Sequence, residues 1–205
     1  MTQRPLLPQR ATNDRVEVDS VEWLFEPEWP GLRLIARVSD GDVRLTDAAG
    51  SVVEDLPDAS ALLSRAVRAS RAILDGTWTT QPFVDDEGAA AERDAFVAID
   101  LLELDGEPLL DVPLQERRRL LESVLEEGLQ VRVSPMVKQP VGGWLAGWRH
   151  AGFSHYLARH QNARYHPGQE RDDWLRVPLE APPAPGLLRR MIGGGPGKRP
   201  RRIRG

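Results

Sequence analysis

Few side chains in this 205-residue chain could carry covalent chemistry. The absence of cysteine excludes disulfides, thiolate metal sites and thiol nucleophiles, and it fits a reducing compartment such as the cytoplasm. Of the 27 lysines and arginines only Lys138 and Lys198 are lysine, which leaves 25 arginines. A guanidinium holds its proton at any working pH, so it clamps phosphate but cannot act as an amine nucleophile. Lysine-dependent chemistry therefore has two candidates. The four histidines stand at 150, 155, 160 and 166. Steps of five and six do not stack on a helix face, and five alternates the faces of a strand, so no metal site is expected from them.

The remaining polar words are short. Residues 25–33 read FEPEWPGLR, with Glu26 and Glu28 either side of a proline and a Trp-Pro-Gly turn before Arg33. Leu74, Asp75, Gly76 and Thr77 form a second word, and Tyr165, His166, Pro167 and Gly168 a third. Taken singly, each has an ordinary reading as a turn in which Gly supplies unusual φ and Pro fixes it. Charge is also divided along the chain. From Gly186 to Gly205 the cations Arg189, Arg190, Lys198, Arg199, Arg201, Arg202 and Arg204 meet no acid, which leaves 20 basic against 31 acidic residues before them. Such a tail suits salt-sensitive contacts with nucleic-acid phosphates, with acidic proteins or the chain's own acidic body as alternative ligands.

The elements that must position these words follow from pattern. Residues 1–20 are polar and Pro-containing and read as an N-terminal arm. VEWLFE is a first strand, and LRLIARVSDGDVRLTD a hairpin turning at Ser39-Asp40-Gly41-Asp42. Pro57 suits the first turn of a helix with apolar residues at 59, 62, 63, 66 and 67. RAILDGTW and DAFVAIDLLEL are strands, and PLQERRRLLESVLEE is an amphipathic helix whose arginines read as a solvated face. The strand LQVRVSP, a short helix after Gly142-Gly143, and strands around SHYLAR and DWLRVPL complete the body. The expected fold class is α+β, antiparallel sheets with flanking helices, over residues 21–180. Residues 181–205 form a Pro/Gly/Arg-rich segment expected to be disordered. No run of about 18 apolar residues occurs and the N-terminus has no apolar core, so neither a membrane span nor secretion is expected.

The order of these words resembles the adenylation (nucleotidyltransferase) domain of ATP-dependent DNA ligases, in particular the bacterial end-joining type, over roughly residues 20–179. The family's Glu-x-Lys-x-Asp-Gly-x-Arg turn is answered by Glu26, Glu28, Pro30, Gly31 and Arg33. Its Leu-Asp-Gly-Glu is answered by LDGT, and its Phe-Asp-x-Leu with the following helix by AIDLLELDGEPLLDVPLQERRRLL. Its Glu-Gly-x-x-x-Lys strand with a Tyr-x-Pro-Gly turn matches SHYLARHQNARYHPG, and its Trp-Leu-Lys-x-Lys matches Trp174, Leu175, Arg176 and Pro178.

The resemblance implies lysyl-AMP formation from ATP with Mg²⁺, then transfer of AMP to a DNA 5′-phosphate. At the nucleophile position stands Glu28, and at the neighbouring acid Pro30. Thr77 and Ser154 replace the metal-binding carboxylates, and hydroxyls alone hold hard cations weakly. Ile99 replaces an aromatic near the adenine, Arg159 and Arg176 replace phosphate-facing lysines, and Glu26 and Arg33 are kept near the adenine and ribose. The expectation is a catalytically inactive ligase-like domain, acting as a nucleic-acid or nucleotide-binding accessory to DNA repair or end joining, beside DNA and a repair protein. A residual ligase or nucleotidyltransferase using ATP and Mg²⁺ is the second reading, and a protein-interaction scaffold the third. No OB-fold segment follows the body, so activity would require a second protein.

Overall fold

The computed structural model describes residues 5–14, 19–80, 83–84, 90–91 and 94–179. Strand β1 (Arg10–Asn13) is followed by β2 (Trp23–Pro27), β3 (Leu32–Ser39) and β4 (Asp42–Asp47). Helix α1 (Pro57–Ala66) leads into β5 (Arg71–Thr79), the two-residue strands β6 (Phe83–Val84) and β7 (Ala90–Ala91), β8 (Ala95–Leu104) and β9 (Glu107–Pro108). Helix α2 (Leu114–Val124), β10 (Val131–Val133), α3 (Gly142–His150), β11 (His155–His160) and β12 (Glu170–Pro178) complete the order.

The strands form two main sheets. One has the order β10-β8-β5-β3-β4, and the other β1-β12-β11-β2. Period-2 alternation gives the larger sheet two buried faces. Leu34, Ala36, Val38, Ala72 and Leu74 pack with Leu63 of α1 and Leu121 of α2. Ile35, Ile73, Ile99 and Leu102 point the other way and meet Leu157 and Trp174 of the smaller sheet. The register of β5 on β8 slips between Asp75 and Gly76, so that Asp75 lies opposite Asp100 while Gly76 lies opposite Ala98. This bulge lets Asp100 leave the face that Ala98 occupies. Both two-residue hairpin loops are Asp-Gly, and Asp40, Gly41, Asp105 and Gly106 all have positive φ, as a type I′ turn requires.

Two expectations change. Residues 5–14, assigned to an N-terminal arm, belong to the body: β1 pairs parallel with β12, and the Gln9 N–H donates to the Tyr165 hydroxyl at 2.9 Å. With the β10/β8 pair this adds parallel edges to sheets whose other strand pairs are antiparallel, as expected. The arginines of α2 are not a solvated face. Leu114, Arg117, Arg118 and Leu121 make the buried stripe, and only Arg119 of the three is exposed, in an ion pair with Glu116. Among the described residues no helix is long and apolar enough to cross a membrane.

Candidate functional site

Between the sheets lies a cavity of about 480 Å³. Its apolar wall is built by Trp29, Ile99, Leu157 and Trp174, and residues 7–11 close one side. Among the described residues, four charged side chains line it: Arg10, Glu28, Arg33 and Arg176.

Each cation of that set already meets a carboxylate. Arg33, on β3, donates from Nε and Nη2 to the two carboxylate oxygens of Asp75 at 2.6 and 2.7 Å. Asp75 is fully buried on β5 and also accepts from the Tyr165 hydroxyl at 2.6 Å. Burial and the Asp75 charge together hold the Tyr165 phenol well above its usual range, so it stays a donor. Burial works against the Arg33 guanidinium, but Asp75 overrides it and keeps the proton firmly in place. Arg176 Nε donates to Glu28 Oε1 at 2.7 Å, and its Nη2 lies 3.1 Å from His155 Nδ1. Arg10 sits 3.6 Å from Glu170 in a solvated pair.

Behind the cavity wall a second network is sealed from water. Asp100 accepts two bonds from Arg117, from Nε and Nη2 at 2.8 Å each, another from Arg159 Nη2, and one from the Leu101 N–H at 2.9 Å. Arg159 Nη1 reaches Glu26 Oε1 at 3.2 Å, and its guanidinium lies 4.0 Å over the Trp174 ring. Burial alone would push the Asp100 carboxyl up, but the two guanidinia override it and bring it down to about 2. Since this folded value lies below the ordinary 3.8, the charged form favours folding. We expect that contribution, about 2 kcal/mol, to be complete above pH ~4 and lost as pH falls towards 2. Denaturant melts over that window, wild type against Asp100→Asn, check it, because the wild type should decline by that amount more than the variant does.

A family model for the ATP dependent DNA ligase domain matches residues 7–177. The chain belongs to the ATP-dependent DNA ligase domain family. The multifunctional non-homologous end joining DNA repair protein LigD of Mycobacterium tuberculosis is 30% identical over 183 residues, covering 83% of this chain and 24% of that protein. A DNA ligase of Thermococcus onnurineus is 25% identical over 203 residues, covering 85% of this chain and 35% of its own. The crystal structure of the ligase domain of M. tuberculosis LigD matches with a TM-score of 0.67 at 28% identity, over 83% of this chain and 58% of that one. The mycobacterial DNA ligase D complexed with ATP and MES matches at 0.69, also 28% identical, over 84% and 60%. The fold is thus the α+β ligase-type nucleotidyltransferase fold, and the chain spans about a quarter of the length of the LigD relatives.

Against the ligase-domain motifs, the structure sorts the expected site residues into two groups. Glu28, Arg33, Thr77, Ile99 and Arg176 line the cavity. Glu26, Ser154 and Arg159 do not. Glu26 is fully buried and meets Arg159, so neither side chain offers its charge to the cavity. Ser154 is exposed, its hydroxyl 2.9 Å from His155 Nδ1. Pro30 is exposed beside the turn glycine Gly31, which does line the cavity. Lys138 is exposed one residue past Val137, which bridges Phe25 antiparallel. That register carries Lys138 away from Glu28 along the strand, by about 3.3 Å per residue. The tail cations Arg189, Arg190, Lys198, Arg199, Arg201, Arg202 and Arg204 lie outside the described residues.

The Mg²⁺ that the ligase family implies does not fit the donors present. Thr77 and Ser154 bring no charge and do not share the cavity, and among the described residues no three His, Asp or Glu side chains are grouped to hold a metal. Sequence reasoning missed Asp75 and Asp100 as the acids that hold Arg33 and Arg159, and Tyr165 and Arg117 as the donors that hold those acids. A signal existed: Asp75 and Asp100 interrupt apolar strand runs, and a carboxylate buried there requires a partner.

Proposed function

We propose that this ligase-type domain is catalytically silent and acts as an accessory nucleic-acid-binding module in DNA repair or end joining. The observation that carries the reading is the Glu28–Arg176 ion pair at 2.7 Å, at the position where the family resemblance places an amine nucleophile. A carboxylate there would repel the phosphate it should attack, by about 4 kcal/mol for unit charges ~4 Å apart at an effective dielectric of ~20. Arg159 is enclosed, the hydroxyls of Thr77 and Ser154 are separated, Arg33 is committed to Asp75, and Arg176 is already taken up by Glu28 itself.

Intact-protein mass after incubation with ATP and Mg²⁺ or Mn²⁺ tests the silent half of the proposal. No AMP adduct is expected, either in the wild type or in Glu28→Lys, because restoring the amine alone restores neither the metal carboxylates nor an available Arg159. An adduct on the wild type overturns the reading. The DNA half is tested by binding to duplex and nicked DNA, with and without residues 186–205. Affinity of the full chain is expected to fall at least about tenfold between ~50 and ~200 mM salt, and most of it to go with the tail. Absence of DNA binding at the lower salt removes this half.

A further inference from the structure

We propose that the inter-sheet cavity takes an uncharged, planar ligand of nucleoside size and discriminates against its phosphorylated forms. The inference rests on the reading that the domain is catalytically silent. It goes further in naming what the retained cavity selects, and the selection is opposite in charge to what an ATP-dependent reaction needs.

Size comes first. A cavity of about 480 Å³ falls within the ~300–1,000 Å³ of small-molecule sites. The loss of the nucleophile has not filled it. Thr77 is small and almost fully buried at its wall, and Ile99, Leu157 and Trp174, packed against one another, give one continuous apolar surface on which a flat ring system can lie. Trp29 is held at the edge by its Nε1, which donates to Ser134 Oγ at 3.0 Å, so this wall keeps its place without a ligand.

Charge decides the ligand class. A phosphate group in such a site needs guanidinium or ammonium donors that are free to turn towards it. The cavity's enclosed donors are committed. Arg33 is locked bidentate on a fully buried Asp75, and the same Asp75 is held by Tyr165. Arg176 is held by Glu28 and Asn13, with His155 against its remaining edge. Arg10 is the mobile one: its side chain is mostly exposed and meets Glu170 only at 3.6 Å, so a phosphate that it reached would stay in solvent, where such a contact contributes little. Arg159 is 1% exposed and lies behind the wall, bound to Asp100 and Glu26. Of the charged liners among the described residues, Glu28 is the one acid. It is paired with Arg176, so a phosphate that recruits this arginine must break an ion pair and then sit beside the released carboxylate. A neutral ring system meets neither cost.

Equilibrium binding of adenosine, guanosine, AMP and ATP to the full chain tests this, read by calorimetry and by thermal shift. Adenosine and AMP carry no pyrophosphate leaving group, so their affinities are read without any chemistry. At least one nucleoside is expected to bind at least tenfold tighter than AMP or ATP, with no effect of Mg²⁺. Glu28→Gln removes the acid and loosens Arg176, and is expected to raise AMP affinity at least tenfold relative to the nucleoside. Tighter binding of AMP or ATP than of either nucleoside overturns the proposal. So does a failure of both nucleosides to bind, or a preference that Glu28→Gln leaves unchanged. An AMP adduct overturns the silent-domain reading instead, and mass spectrometry reads it separately from the affinity order.

Discussion

Replacing Asp100 with alanine is expected to cost about 3–5 kcal/mol, enough to leave the domain unfolded or nearly so at 37 °C. The carboxylate is fully buried between two guanidinia, Arg117 at 0% and Arg159 at 1% exposure, and a neutral water in its place would not offset their charge. Removing it leaves two positive charges in an apolar interior with only carbonyls and Glu26 for company. Repulsion between them then adds to the desolvation that the carboxylate had offset. Urea titration by circular dichroism measures the loss, and a cost below about 1 kcal/mol would mean that the network does not hold the sheets together. The companion change, Arg117→Met and Arg159→Met with Asp100→Leu and Glu26→Met, removes all four charges of the network at similar volume. It should recover most of the loss, because a matched set of buried ions contributes little beyond what apolar packing can replace.

The second large effect is expected from one methyl group at Gly31, where alanine should cost more than about 3 kcal/mol. Gly31 has φ +137°, and a Cβ built there would lie 2.1 Å from the Trp78 carbonyl oxygen and 3.1 Å from Thr79 Cα. Both contacts are backbone of the neighbouring strand β5, so neither can swing aside. Relief requires the turn before β3 to lift off β5, and Gly31 and Glu28 move with it. A thermal melt of Gly31→Ala would show the loss. Gly128→Ala is the control, since a Cβ there meets nothing within 4 Å and Gly128 has no positive φ. If both variants melt like the wild type, the close approach of this turn to β5 is wrong.

Much of the architecture was legible from local chemistry. The Asp-Gly pair at 40–41 marked a hairpin, and Pro57 marked the start of α1, because in each case the backbone requirement is met by the residue itself. What local chemistry could not supply was pairing across distance. Arg10 to Asn13 contain nothing that announces a strand, and they become one because β12 offers an unpaired edge about 160 residues later. Arg117 and Arg118 were read as solvent-facing from their charge, although their spacing from Leu114 puts them on the buried stripe. Charge misled where spacing did not.

The site shows the same division. Motif order located Glu28, Arg33, Thr77, Ile99 and Arg176, and all five line one cavity. It placed Arg159 as a phosphate-facing cation, and that inference failed for a reason sequence order cannot contain. Whether an arginine faces a ligand or a buried acid depends on which acids the fold brings near it, and Asp100 and Glu26 come from two other strands. Position in a motif identifies the strand a side chain leaves from, while its partners decide where it ends.

On the proposed reading, the burial of Arg159 works as a ratchet. A chain given lysine at 28 would still have this arginine stacked on Trp174 and bound to Asp100, and freeing it would leave Asp100 with one guanidinium in place of two. Each single step towards a reactive site would then lower stability before it supplied any chemistry.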